Sequence, residues 1–283
     1  MTLGPTSLWL YATNWEGLKN CDLSMMTYPI TGGEQVLPRT EAAINAFLKK
    51  HGCRSVLLKG YGMCELGSTV STDSSSIRKT GSTGYPIKGV VVSAFDVNTN
   101  KEMPYGHRGE IRVQSPARMK GYFKNPDATE KYFYTDEDGN KWGCTGDLGY
   151  VDEDGFIYIL GRASDKFTTQ DGKEIFCFDI ENVILDNENI ASCEVVGLSK
   201  DDYYVPVAHL ILEDTCQLNS EEVILQIYEN CKRKLDVNCV PCGYKCRDVF
   251  PVKSSGKRDM GALKEERDGF IIPEDGKFIS IKI

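Results

Sequence analysis

Two charged residues mark the ends of one predicted hairpin, in the segment KWGCTGDLGYVDEDGFIYILGR at 141–162. Asp147 follows a Thr-Gly pair, which we interpret as a tight turn because Gly146 tolerates a positive φ. A second turn, DEDG, precedes the alternating run FIYIL, and Arg162 closes the segment. An acidic residue at a turn most often caps backbone N–H groups. Taken alone, Asp147 is therefore predicted to be structural.

Three further residues are candidates for chemistry by their type and their glycine-rich surroundings. Lys257 lies in SSGKRD, and Tyr61 and Glu65 lie in GYGMCELG. The Gly-Lys pair is not a Walker loop, because the pattern G-x-x-x-x-G-K-[ST] requires a glycine at the position of Pro251. Taken singly, these residues are predicted to be a solvated lysine, a core aromatic and an exposed loop acid.

The composition is that of an ordinary globular protein. The chain has 283 residues, of which 41% are hydrophobic and 26% charged, enough for two domains. A net charge of −8 argues against a general nucleic-acid binder. It does not argue against a nucleotide site, which needs only local positive groups. No apolar run approaches the roughly 20 residues of a membrane span, and the first residues lack a basic signal-peptide region. We therefore expect a cytoplasmic protein without a membrane span.

The cysteines raise the question of a metal site. There are 11 of them, and Cys239 and Cys242 have the C-x2-C spacing of zinc ligands, with Cys246 nearby. No second such pair follows, and the three histidines are distant in the sequence. We interpret these cysteines as reduced, small hydrophobic residues that pack beneath a loop.

Two patterns of secondary structure meet near residue 162. The first part, 1–161, contains the helix PRTEAAINAFLKKHG and the short strands VVVSAFDV, GEIRVQS, LGYVD and FIYIL, spaced as in an antiparallel barrel-like unit. The second part, 162–283, alternates helices DIENVILDNENI and NSEEVILQIYENCKRKL with strands CEVVGL, VPVAHLIL and VFPVK. Asn219 and Glu222 are spaced as a capping box. The predicted fold class is mixed α+β.

Four motifs follow one another in a characteristic order: TGGEQ, GYGMCELG, CTGDLGY…GR and SSGKRD. The series resembles the acyl-adenylate-forming superfamily of acyl-CoA synthetases, luciferases and peptide-synthetase adenylation domains, from about residue 28 to about residue 265. The resemblance implies an α/β piece and a distorted β-barrel of the large adenylation domain, followed by a small mobile lid domain. It also implies a reaction in which a carboxylic acid attacks ATP and the acyl-adenylate passes to CoA.

The resemblance carries nucleotide-binding roles to the matching positions Gly33, Glu34, Gln35, Tyr61, Cys64, Asp147 and Arg162. Asp147 and Arg162 would hold the ribose, because a carboxylate accepts hydrogen bonds from a diol. Tyr61 would stack on the adenine, and the segment 33–35 would border the base.

The remaining roles concern the metal, the acid and the thiol. Glu65 would bind Mg²⁺, a hard ion that prefers carboxylate oxygen. Lys257 would be the catalytic lysine that binds the reacting carboxylate and the α-phosphate. Gly172 would let the pantetheine arm of CoA pass close to the backbone, and Ser164 would lie at the hinge of the lid. ATP, AMP, Mg²⁺, CoA and a carboxylic acid are thus the expected ligands.

Two substitutions and one absence depart from the family pattern. Cys64 stands where a threonine hydroxyl would donate to the α-phosphate, and a thiol is a weaker donor. Ser164 stands where Asp or Lys is common. The phosphate-wrapping loop that ends in Pro-Lys is absent, so we expect the C-terminal portion of a longer enzyme, inactive alone, whose missing N-terminal part would be a partner.

Two alternatives stay open at this point. The chain could belong to a peptide-synthetase-like adenylation domain that loads a carrier protein, because a separate protein could supply the thiol. It could also be a non-catalytic nucleotide-binding or partner module, which Cys64 and the absent phosphate loop favour. These motifs do not determine which acid is activated, and a role in fatty acid metabolism is one expectation.

Overall fold

The computed structural model describes residues 2–33, 36–200, 202–254, 258–274 and 277–283. The chain forms two compact units, Met1–Arg162 and Ala163–Ile283. Each unit has hydrophobic clusters of its own. Within these ranges no helix has both the length and the apolar character needed to cross a membrane.

A five-stranded mixed sheet opens the first unit, in the order β1-β2-β3-β4-β5. Its strands are β1 (Thr2–Gly4), β2 (Pro29–Gly32), β3 (Leu58–Met63), β4 (Ser68–Thr72) and β5 (Tyr85–Pro86). The first three are parallel, and they are joined by the helices α1 (Thr6–Asn14) and α2 (Pro38–Lys50). Ile44 and Leu48 of α2 pack against Trp9 of α1, so burial of one helical stripe holds this layer together.

An antiparallel sheet completes the first unit, in the order β10-β9-β7-β6 with β8 on β9. Its strands are β6 (Val91–Phe95), β7 (Gly109–Gln114), β8 (Phe133–Thr135), β9 (Lys141–Val151) and β10 (Ile157–Arg162). The helix α3 (Pro126–Tyr132) lies between β7 and β8, and Asn125 caps it by accepting a hydrogen bond from the backbone N–H of Ala128. Ile111, Val113 and Ile157 form part of the buried face.

The second unit begins with the hairpin β11 (Lys166–Thr168) and β12 (Glu174–Phe176), which leads into α4 (Cys177–Leu185). A second five-stranded mixed sheet then follows the order β13-β14-β15-β16-β17. Its strands are β13 (Ile190–Lys200), β14 (Tyr203–Leu212), β15 (Tyr244–Cys246), β16 (Phe270–Glu274) and β17 (Lys277–Ile281), accompanied by the helices α5 (Ser220–Lys234) and α6 (Met260–Glu265).

Local sequence signals predicted three helices, whereas α1, nine residues long, was not predicted. The helices α2 and α5 are confirmed, and the predicted capping box of Asn219 and Glu222 is present at the start of α5. The helix predicted at DIENVILDNENI is confirmed as α4, but it ends at Leu185. Cys239 packs in the core of the second unit. The prediction of a strand at VFPVK is wrong, because Pro251 has no N–H to donate and β15 occupies the position beside β14. Only Val252 of that segment forms a bridge.

Candidate functional site

A bulge in β9 sets the backbone around Asp147. Between two regular pairs of β7 and β9, a single residue of β7, Ile111, lies opposite residues 145–147 of β9. Gly146 lies at the centre of this bulge with a φ of 69°, a conformation that glycine adopts without strain. The predicted turn at this position is therefore wrong, because the strand continues through a bulge that re-aims its side chains.

The backbone of the bulge is satisfied by neighbouring side chains. Thr145 Oγ1 donates to the carbonyl of Ile111 at 2.6 Å and accepts from the backbone N–H of Asp147 at 3.1 Å. Glu110 Oε1 accepts from the backbone N–H of Gly146 at 3.3 Å. Because these bonds occupy the backbone groups, the carboxylate of Asp147 is not needed as a cap and can serve another purpose.

The Asp147 carboxylate contacts two other residues that were singled out from the sequence. The hydroxyl of Tyr61, on β3, donates to Asp147 Oδ2 at 2.5 Å. Nη1 of Arg162, paired with Asp147 across the β9–β10 hairpin, lies 3.0 Å from Oδ1. Tyr61 and Asp147 are 86 positions apart in sequence. The fold thus brings three predicted residues into one cluster, the Tyr61–Asp147–Arg162 cluster.

Burial differs sharply within the Tyr61–Asp147–Arg162 cluster. The side chain of Asp147 is only 6% exposed, whereas that of Arg162 is 56% exposed. Burial, followed by the charge of Asp147, raises the pKa of Tyr61, so the phenol stays a neutral donor. The cluster therefore combines a buried acceptor with an accessible cation, an arrangement that suits recognition of a hydroxyl-bearing, anionic ligand.

Glu65 lies on a single turn of 3-10 helix, Cys64–Leu66, directly after β3. Its Oε1 accepts a hydrogen bond from the hydroxyl of Tyr122 at 3.0 Å, while Cys64 is exposed. Burial raises the pKa of Tyr132, and the charges of Glu65 and Asp147 contribute in the same direction. Both carboxylates therefore lie within electrostatic reach of one phenol.

The other predicted residues of the first unit, at 33–35, follow β2 in the sequence. Gly33 follows β2 in the left-handed region, and a Cβ there would meet no atom within 4 Å. At the preceding Gly32, a Cβ would lie 2.8 Å from the carbonyl oxygen of Gly60, so β2 and β3 approach closely at this end. Glu34 and Gln35 lie outside the described residues.

In the second unit, Gly172 lies in the turn between β11 and β12, and its backbone N–H donates to the carbonyl of Thr169 at 2.9 Å. A Cβ on Gly172 would meet no atom within 4 Å. Ser164 is exposed, with Oγ 3.3 Å from Asp165 Oδ1. Lys257 lies outside the described residues.

Sequence reasoning missed the residues that support the site. Glu110 and Arg112 alternate on β7 with opposite charges and are joined at 2.8 Å, a two-residue spacing that could have indicated an ion pair on one face of a strand. Tyr122 carried no comparable signal, because it stands in the polar segment that follows β7. Its contact with Glu65 depends on how that segment folds back.

A metal ion at Glu65 would depend on oxygen atoms from outside the protein. In the described ranges, no three His, Cys, Asp or Glu residues form a group able to hold a metal. Mg²⁺ commonly binds through one or two carboxylates together with water and substrate phosphates. A single half-buried carboxylate with one oxygen already hydrogen-bonded fits that mode of binding.

Comparison with known proteins supports the family resemblance that the order of the motifs indicates. Residues 2–123 match the family model described as AMP-binding enzyme. The putative acyl–CoA ligase YdaB of Bacillus subtilis is 33% identical over 246 residues, 87% of this chain and 45% of that protein. The 2-succinylbenzoate–CoA ligase of Bacillus licheniformis is 35% identical over 207 residues, 72% of this chain and 40% of that protein. The chain thus spans about half the length of the curated relatives it matches.

A solved structure shares the fold over nearly the whole chain. The O-succinylbenzoate coenzyme A synthetase of Bacillus subtilis, in complex with AMP, superposes with a TM-score of 0.71 at 27% identity. The match covers 94% of this chain and 51% of that structure. Similarity therefore extends across both compact units.

Proposed function

Because this chain belongs to the AMP-binding enzyme family, whose model matches residues 2–123, we propose that it is part of an ATP-dependent, AMP-forming carboxylic acid–CoA ligase. The supporting observation is the contact of Tyr61 and Arg162 with the two oxygens of Asp147. The first unit would belong to the adenylation domain, and the second would be the lid domain. The cytoplasmic location stays a prediction.

Asp147 would bind the ribose of the nucleotide. A carboxylate accepts up to about four hydrogen bonds, so the contacts with Tyr61 and Arg162 do not by themselves exhaust it. Arg162 comes from β10, which pairs with β9, and Tyr61 comes from β3 of the other sheet. The two contacts hold the carboxylate in one orientation before the ligand arrives. The exposed guanidinium of Arg162 would approach the ribose or the phosphate.

The remaining roles follow from the family motifs. Glu65 would bind Mg²⁺, and the bound ion would neutralise charge on the phosphates of ATP. Lys257 would bring a compact ammonium charge to the reacting carboxylate and α-phosphate, whose negative charges otherwise repel each other. In the second step, Gly172 would give the thiol arm of CoA access, with Ser164 at the hinge. Cys64 would be a weak donor to the α-phosphate.

The proposal is tested by asking whether Asp147 recognises the ribose hydroxyls. We expect the chain to bind AMP more tightly than 2′,3′-dideoxy-AMP, by roughly 10- to 100-fold, because hydrogen bonds to a charged group contribute about 1.5–3 kcal/mol. Asp147→Ala should weaken AMP binding and abolish the preference. The measurement is isothermal titration calorimetry with both nucleotides on the wild type and the variant.

Asp154→Ala is the matched control, because Asp154 lies in the turn of the same hairpin with a side chain 71% exposed. This variant should keep the full preference for AMP. A wild-type chain that does not distinguish the two nucleotides, or an Asp147→Ala variant that still does, would contradict the ribose assignment.

A further inference from the structure

Glu65 is held by a residue from a distant segment. Tyr122, in the stretch between β7 and α3, donates through its hydroxyl to Glu65 Oε1 at 3.0 Å. No donor in the described part of the chain reaches the second oxygen, Oε2, in a hydrogen bond or ion pair. One oxygen of the carboxylate is thus engaged and the other is available as a ligand.

The segment that carries Tyr122 is firmly joined to the turn that carries Glu65. The backbone N–H of Met119 donates to the carbonyl of Glu65 at 2.7 Å, and Ser115 Oγ donates to the carbonyl of Leu66 at 2.9 Å. A Cβ added at Gly67 would lie 2.5 Å from the Cβ of Ala117, so the two segments are in close contact there. These contacts hold the segment that leads to Tyr122 beside the turn that carries Glu65.

Tyr122 is also fixed by contacts of its own. Its backbone N–H donates to Thr129 Oγ1 at 2.8 Å. Its ring lies edge-to-face against Tyr132, with centroids 6.1 Å apart. The phenol of Tyr132 donates instead to the sulfur of Met63 at 3.1 Å. Two neighbouring tyrosines thus have hydroxyls with different targets, and only that of Tyr122 bonds to the carboxylate.

We propose that Tyr122 is a positioning residue for the metal-binding carboxylate: its hydroxyl orients Glu65 through Oε1 and leaves Oε2 as the ligand of a divalent cation. Hydrogen bonds from neighbouring side chains orient metal-binding carboxylates and raise the metal affinity. The inference rests on the proposed role of Glu65 in Mg²⁺ binding. It adds Tyr122, whose contribution to metal binding is separate from contacts with the nucleotide.

The experiment measures binding of Mn²⁺, as a paramagnetic substitute for Mg²⁺, to the full chain in the presence of ATP. Free Mn²⁺ is quantified by electron paramagnetic resonance relative to a protein-free sample with the same ATP, because ATP itself chelates Mn²⁺. ATP binding without metal is measured in parallel. Removing a residue that orients a metal ligand weakens metal affinity by about 10- to 100-fold. We expect Tyr122→Phe to raise the dissociation constant for Mn²⁺ about tenfold, with metal-free ATP affinity unchanged.

Tyr132→Phe is the matched control, because it removes a neighbouring hydroxyl that does not bond to Glu65; its Mn²⁺ affinity should stay within about twofold of the wild type. Equal Mn²⁺ affinity in Tyr122→Phe and the wild type would overturn the inference. Equal weakening of Mn²⁺ binding and metal-free ATP binding would also overturn it, since that indicates a general structural defect.

Glu65→Gln separates failure of this inference from failure of the proposed function. If Glu65→Gln lowers Mn²⁺ affinity and Tyr122→Phe does not, the metal-binding role of Glu65 is supported and the positioning role of Tyr122 is refuted. If the wild type shows no Mn²⁺ binding with ATP, or Glu65→Gln changes nothing, the metal role of Glu65 itself is refuted, and the positioning role with it.

Discussion

Lys59 is a buried cation in the first unit, and its replacement by methionine tests how that unit is stabilised. Its Nζ lies 2.7 Å from Glu41 Oε2 and 3.5 Å from Asp73 Oδ2. The side chains of these three residues are 5%, 12% and 0% exposed, respectively. Lys59 also donates to the carbonyl of Lys79 at 3.3 Å. Methionine keeps most of the length of the side chain but removes the charge.

The expected loss of stability is large because two carboxylates would remain buried without their cation. Removing one partner of a buried ion pair typically costs about 3–5 kcal/mol. Burial already raises the pKa of Asp73, and the charge of Lys59 opposes that effect. Without Lys59, protonation of Asp73 would relieve part of the cost. We therefore expect Lys59→Met to lower the free energy of unfolding by about 3–5 kcal/mol at pH 7.

The pH dependence of this loss of stability follows from Asp73 and Lys59. Because the pKa of Asp73 is raised in the folded state, its contribution to stability is present at low pH and is lost as the pH rises through the folded pKa. Loss of Lys59 would raise that pKa further, since a favourable charge is removed. The difference between Lys59→Met and the wild type should therefore be smaller at pH 5 than at pH 8.

Urea denaturation followed by tryptophan fluorescence measures this effect in the relevant unit. The three tryptophans, Trp9, Trp15 and Trp142, all lie in the first unit. The control is Lys79→Met, because Lys79 contacts Asp152 and Asp154 at 2.6 and 2.5 Å with a side chain 34% exposed.

Water screens the charge of the solvent-accessible Lys79, so the loss of stability in Lys79→Met should be much smaller than in Lys59→Met. Similar losses in the two variants would refute the reasoning that burial determines the cost.

Two further predictions concern the second unit, which contains no tryptophan, so its unfolding in the urea titrations is followed by pulse-labelling hydrogen exchange of peptides from 163–283. Burial raises the pKa of Glu181 from 4.5 to about 7, so wild-type stability should fall by on the order of 3 kcal/mol as the pH rises from about 4.5 through 7. Urea titrations at pH 5 and pH 8 should show this dependence largely removed in Glu181→Gln; an unchanged dependence would contradict the assignment. Asn219→Ala should lower stability by about 1 kcal/mol, because it removes the capping-box acceptor of Glu222, whereas the exposed Gln217→Ala should change it by less than about 0.5 kcal/mol.

Local signals in the sequence determined the helices α2, α4 and α5 and the identity of the candidate residues. Pro38 at the first turn of α2 and the capping box at Asn219 act within a few residues, so tertiary structure is not needed to recognise them. The order of the motifs along the chain likewise indicates Asp147, Arg162 and Glu65 as candidate site residues. These inferences require only neighbouring residues and the order of segments.

Only the tertiary structure decided what those residues contact. The Thr-Gly-Asp sequence is compatible with a turn or a bulge, and the pairing of β7 with β9 selects the bulge that carries Asp147. The bonds from Tyr61 to Asp147 and from Tyr122 to Glu65 span 86 and 57 positions. Such contacts depend on the register of strands and the path of loops, which are fixed by burial of the whole core and not by local propensity.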